Sequence, residues 1–212
     1  DRRVLARGRE NCLHPGGRWD EQAIGTNAIG TALHLGRPVA IAGAEHFCEA
    51  IQRWSCAAAP VRCPTSGKVL GAVDISGPWG ELSGPVTTLS MTLALQIEEA
   101  MRSAEQREAR VLLETLLERG APGGGDAQML FDGRGRMIWA SPPLRAALQE
   151  RDGPAEALRH LAAAGEGDAG QIAARMRAAL PEAGVDPLEA PGAARGVLVW
   201  LHRARPRGQR LA

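Results

Sequence analysis

The sequence predicts a mixed α/β (α+β) protein: a central antiparallel sheet flanked by helices, a long helix, and then a second, smaller α+β module. Three observations carry this. Cys56–Arg62 and Val69–Ser76 are apolar runs separated by the turn signal Thr65-Ser66-Gly67-Lys68, which reads as an antiparallel hairpin. From Val86 onward, apolar residues recur at helical spacing with charges on the other faces. After the linker composition Ala121-Pro122-Gly123-Gly124-Gly125-Asp126, a second strand–turn–strand pattern begins.

The elements follow in order. Pro15-Gly16-Gly17 marks a loop. Ala28, Ile29, Ala32 and Leu33 fall on one stripe of a short helix. Thr26 or Asn27 can cap it, because either side-chain oxygen accepts an orphan backbone N–H, and Gly36 closes it. Pro38–Ile41 reads as a strand. Phe47, Ala50, Ile51 and Trp54 are spaced as on a helix covering 45–54. In the long helix Leu89, Leu93, Ile97, Met101 and Ala104 make a seam, extended by Val111, Leu112, Leu116 and Leu117 and interrupted by Glu108. Charged flanks beside such a seam suit a two-stranded coil; a helix packed on its own domain is the alternative. Gln128–Asp132 and Arg136–Ala140 read as paired strands, Ser141-Pro142 as the start of a helix through Leu148, 154–180 as helical with a break near 165–170, and 197–201 as a terminal strand.

Composition narrows the function classes. The 212 residues carry 25 Lys+Arg against 24 Asp+Glu, a formal net charge of +1, which supplies no chain-wide attraction for nucleic acid. The tail from His202 to Arg210 is locally basic and reads as a solvated end. With no apolar run of about 18 residues, no membrane span is expected. The four cysteines, Cys12, Cys48, Cys56 and Cys63, lie in the first third without a secretion signal, so free thiols and a cytoplasmic location are expected. Both ends of the chain read as cut, as in a piece of a longer protein.

Four stretches, in this order, resemble a known signature: Trp19–Leu33 with Gly25-Thr26-Asn27-Ala28-Ile29-Gly30-Thr31, then Gly43–Cys48, then Cys56–Val61, then Gly71–Ser76. They are similar to the GAF domain of acetoin-catabolism-type, sigma-54-dependent bacterial transcriptional activators. The resemblance implies a GAF-like sensory domain over 1–105, a signalling helix over 86–119 and, from Asp132-Gly133-Arg134-Gly135 and Ser141-Pro142-Pro143, a PAS-like module over 126–212. It implies a small-molecule effector, a homodimer formed through helix 86–119, and contact with DNA and a sigma factor only through domains outside this chain. No phosphate loop of the Gly-x-x-x-x-Gly-Lys-Ser/Thr type is present. About 20 residues precede the Gly-Thr-Asn helix, where such a domain ordinarily has a helix and two strands, so an exposed sheet edge and poor solubility are expected. A histidine kinase or a cyclic-nucleotide signalling protein could carry the same modules.

A GAF-type pocket, closed over a sheet by 25–33 and 45–54, would be concave, mostly apolar and supplied with a few polar groups. The candidate lining is Trp19, Asn27, Glu45, His46, Phe47 and Cys56. Trp19 and Phe47 would give flat walls, and His46 and Asn27 hydrogen bonds. The competing reading puts Trp19 and Phe47 in the core, with Asn27, Glu45 and His46 as caps. Asp74, on an apolar strand, needs a partner: a backbone N–H at a strand end, or Arg62 across the hairpin. His46, Cys48, Cys56 and Cys63 lack metal-ligand spacing, so no metal and no cofactor are expected. Thiol-dependent methionine sulfoxide reduction is the enzyme alternative; it needs a low-pKa thiolate and a resolving thiol. No catalytic residue is assigned.

Overall fold

The computed structural model describes residues 2–11, 13–82, 85–120, 127–142, 144–145, 169–181 and 183–201. The linker composition at 121–126, most of the helical stretches expected at 141–148 and 154–180, and the basic tail lie wholly or partly outside the described residues. The chain forms two compact units, 1–104 and 105–212. The division falls inside the long helix, not at the linker composition.

The first unit opens with α1 (Arg2–Glu10), a one-turn α2 (Glu21–Ile24) and α3 (Ala28–Leu35). Then come the strands β1 (Val39–Ala42), β2 (Trp54–Arg62) and β3 (Val69–Pro78), in the order β1-β2-β3 and antiparallel throughout. The expected hairpin is present and longer than its apolar runs, with Cys56 opposite Ser76 and Ala58 opposite Asp74. Strand alternation then sorts β2 between two faces. Ala58 and Cys56 meet Ala28 and Ala32 of α3, whereas Ala59 and Val61 meet Ala94 of the helix α4 (Val86–Arg119). Alanines on β2 let both helices approach the sheet closely.

The helix expected over 45–54 does not form. Two short 3-10 turns, Gly43–Glu45 and Glu49–Ile51, occupy the segment, and Trp54 already begins β2. Gly43 sits at φ 55°, and His46, with φ −70° and ψ 133°, is extended. Glu45 accepts the Ala42 N–H at 2.7 Å, which closes the first turn. The helical spacing of apolar residues was a coincidence of composition: Ile51 and Trp54 are buried, but Phe47 is exposed.

In α4 the residues of the expected seam divide. Leu89, Leu93 and Ile97 are exposed, while Ser90 and Ala94 face the first unit's core. The Glu98 carboxylate accepts the Arg62 N–H at 2.7 Å, where the β2–β3 register shifts. Further along, Leu112 and Leu116 are buried in the second unit.

That unit holds β4 (Gln128–Asp132), β5 (Met137–Ala140), α5 (Ala169–Ala179), β6 (Ala183–Glu189) and β7 (Arg195–Leu201). Its sheet is antiparallel with order β5-β4-β7-β6. Met129, Phe131, Val197 and Val199 pack on Ile172, Ala173 and Met176 of α5; Leu130 and Leu198 pack on Leu112 and Leu116. At the β4–β5 turn the buried Asp132 accepts the N–H groups of Arg134 and Arg136, each at 2.9 Å, and pairs with the Arg136 guanidinium.

Candidate functional site

The first unit contains a cavity between α1, α3, the Gly43–Ile51 turns and the β2–β3 hairpin. Its walls include Trp19, Asn27, Ala28, Ile29, His46, Ile51, Trp54, Cys56, Asp74 and Ser76, with Gly8, Asn11 and Leu13 from the N-terminal segment. The space is tight. The centre of a water-sized sphere can range over about 20 Å³, enough for an ordered water or the polar head of a small guest.

Local geometry puts each polar group there. Asn27 is an N-cap: its Oδ1 accepts the Gly30 N–H and its Nδ2 donates to the Gly25 carbonyl, both at 2.9 Å. It is also fully buried and lines the cavity, so capping the helix and lining the cavity are not exclusive. Gly30 is required because an added Cβ would lie 2.8 Å from the Trp19 carbonyl oxygen. That close approach brings the Trp19 segment onto α3.

His46 is 1% exposed. Its Nδ1 lies 3.0 Å from the Gly43 carbonyl oxygen, and its Nε2 has no hydrogen-bond partner among the described residues. Asp74 is the second orphan. Its Oδ2 accepts the Ser76 hydroxyl at 2.5 Å, and its buried Oδ1 has no partner among the described residues. Burial pushes the Asp74 pKa up, against the Ser76 hydrogen bond and the nearby His46, which lower it. The ion pair with Arg62, one of the two partners expected for Asp74, does not form. Arg62 instead donates to the carbonyls of Gly36 and Gly67. Cys56 lies 3.1 Å from Ser76 Oγ, and burial raises its thiol pKa to about 11.

Of the six candidate residues, the structure brings Trp19, Asn27, His46 and Cys56 to the cavity and leaves Glu45 and Phe47 outside it. Glu45 caps the preceding turn. Phe47 is 78% exposed and lies against Gly25 on another surface, with Ile24, Thr26 and Cys48. Asp74, Ser76, Ile51 and Trp54 were not among the candidates. The signal for Asp74 and Ser76 was their alternation on a strand facing Cys56, which the hairpin register makes explicit. Among the described residues no cluster of three or more His, Cys, Asp or Glu could hold a metal, and no described helix is long and apolar enough to cross a membrane.

Residues 3–98 match the family model described as MimR, N-terminal domain. The acetoin dehydrogenase operon transcriptional activator AcoR of Bacillus subtilis is 34% identical over 146 residues, covering 69% of this chain and 23% of that protein. The propane 2-monooxygenase operon transcriptional activator MimR of Mycolicibacterium goodii is 35% identical over 115 residues, covering 53% of this chain and 20% of that protein. The chain thus spans less than a quarter of the length of either relative. The crystal structure of the E. coli DhaR(N)–DhaL complex is matched with a TM-score of 0.45 and 16% identity, over 91% of this chain and 70% of that one. Residues 3–98 of this chain are thus similar to the MimR N-terminal domain family, and the relatives it matches are named as operon transcriptional activators.

Proposed function

We propose that the chain is the effector-binding regulatory region of a bacterial transcriptional activator, that it acts in the cytoplasm, and that it is not an enzyme. The GAF-like first unit holds the effector, and the second is a PAS-like module. The observation that carries this reading is the cavity itself. It is lined by two tryptophans and contains two buried polar atoms without partners, an arrangement that costs free energy unless something small completes it. The effector has few heavy atoms. A larger guest requires the wall made by Gly8, Asn11 and Leu13 to give way. Ligand contacts with Trp19 and His46 that differ between two states of the unit would shift the packing of α4, which carries the signal onward. Phe47, outside the cavity, takes no part in the initial contact. The exposed Leu89, Leu93 and Ile97 on α4 support a homodimer formed through that helix. DNA and a sigma factor are engaged by domains beyond this chain.

The raised pKa of Cys56 argues against thiol-dependent reduction of methionine sulfoxide, since the thiol stays protonated near neutral pH.

The test is a library of small metabolites screened by melting temperature and tryptophan fluorescence. A true effector at a hundredfold excess over its Kd stabilises the chain by about 2.7 kcal/mol. His46→Ala should abolish that shift while the variant remains folded by circular dichroism. A library without any effect on melting or fluorescence overturns the reading.

A further inference from the structure

A cavity with room for about one water is too small for an organic guest, so one of its walls has to move before a guest can enter. The walls differ in how firmly they are held. The β2–β3 hairpin is paired along its length, and α3 packs on the sheet through Ala28 and Ala32. The Trp19 backbone is seated against Gly30, where an added Cβ would lie 2.8 Å from the Trp19 carbonyl oxygen. The wall made by Gly8, Asn11 and Leu13 belongs to α1 and the turn after it. Among the described residues of α1, Arg2, Leu5, Ala6, Arg9 and Glu10 are exposed, and the buried position, Gly8, has no side chain to pack. No described side chain of α1 joins the apolar clusters of the first unit. The segment is bonded mainly to itself: the Gly8 carbonyl accepts the N–H groups of Asn11 at 3.1 Å and of Leu13 at 2.9 Å. Between it and the seated Trp19 lies a turn, closed by the Gly17 N–H on the His14 carbonyl at 3.0 Å. Gly16 sits there at φ 89° with open space around it.

We propose that α1, with Asn11 and Leu13, is a lid over this cavity, hinged at 14–17, which swings away from the Trp19 segment as one piece to admit a guest and closes over it. The inference rests on the effector-binding reading for its purpose, but the opening itself is measured without any effector. Opening is a local event because little apolar surface has to separate. A glycine inside α1 lowers the helix's own stability and keeps the lid loosely held.

The experiment uses the whole 212-residue chain, with Cys56 in the cavity wall as the reporter. The chain is treated with N-ethylmaleimide at fixed pH, and peptide mass spectrometry separates modification of Cys56 from that of Cys12, Cys48 and Cys63. The Cys56 rate should rise with urea far less steeply than global unfolding does, as a local opening requires. In Gly8→Ala the new Cβ lies 3.7 Å from Leu13, an ordinary contact, and alanine favours the helix, so Cys56 should react at least threefold more slowly. Leu13→Ser, which removes the apolar contact, should speed the reaction at least threefold. Cys48, outside the cavity, should react at the wild-type rate in both, and either variant suffices should the other not fold. A wild-type Cys56 rate in a folded variant, or a urea dependence equal to that of global unfolding, overturns the lid. Neither result touches the effector reading, which falls only with the metabolite library.

Discussion

At the scale of single residues, the cavity is built from side chains that have structural duties as well. Asn27 caps α3 and lines the pocket, and Gly30 admits the Trp19 backbone. Removing glycine from a helix interior ordinarily gains up to about 1 kcal/mol in propensity. Here the added methyl would overlap backbone that cannot retreat without moving the Trp19 segment. The overlap outweighs the propensity gain. Gly30→Ala should destabilise the first unit by about 1–3 kcal/mol in urea unfolding, and a neutral or stabilising result would show the Trp19 segment to be loosely held. Asp74 gives a prediction in pH. Its folded-state pKa is raised by burial, so the stability it contributes is complete below its unfolded pKa, near pH 4, and is lost as pH rises through the folded value. Asp74→Asn is neutral at every pH. Its melting temperature should therefore gain on wild type between pH 4 and pH 7, and a constant difference across that range would place Asp74 in a solvated setting.

At the scale of elements, helical periodicity was informative only where the helix had somewhere to pack. The α3 stripe was legible because Ala28 and Ala32 meet the alanines of β2. The pattern at 45–54 had the same spacing but formed no helix, since Gly43 turns the chain and Glu45 closes a 3-10 turn. In α4, hydrophobicity by itself does not rank its leucines. Leu112 is fully buried and packs against Gly196, whereas Leu117 is 80% exposed. Leu112→Ala should cost about 2–5 kcal/mol. Leu117→Ala should stay within about 0.5 kcal/mol. Denaturant unfolding of the two variants side by side checks this, and equal losses would contradict the burial described for α4.

At the scale of the whole molecule, the chain is two units, each with its own sheet and core, sharing one helix between them in sequence. The residues of α4 that leave Leu89, Leu93 and Ile97 exposed give the proposed dimer its test. Leu93→Glu combined with Ile97→Glu should shift the chain to monomer in analytical ultracentrifugation with the circular dichroism signal of folded protein retained. A wild-type chain that is monomeric at all concentrations removes the dimer from the proposal.

Local signals in the sequence determined the β2–β3 hairpin, the strands β1, β4, β5 and β7, a helix cap at Thr26 or Asn27 and the long helix, because each depends on near neighbours and on backbone chemistry that every chain shares; they missed β6, and the register that sets Cys56 opposite Ser76 came from the structure. The motif order was likewise enough to recognise the kind of regulator whose N-terminal domain residues 3–98 match. The tertiary structure decided what depends on distant approach. It put Asp74 and Ser76 beside His46 in the cavity wall, turned Phe47 outward, and divided the leucines of α4 between core and surface. A side chain's burial is set by what packs over it, and spacing along the chain carries that information only when the covering element is known.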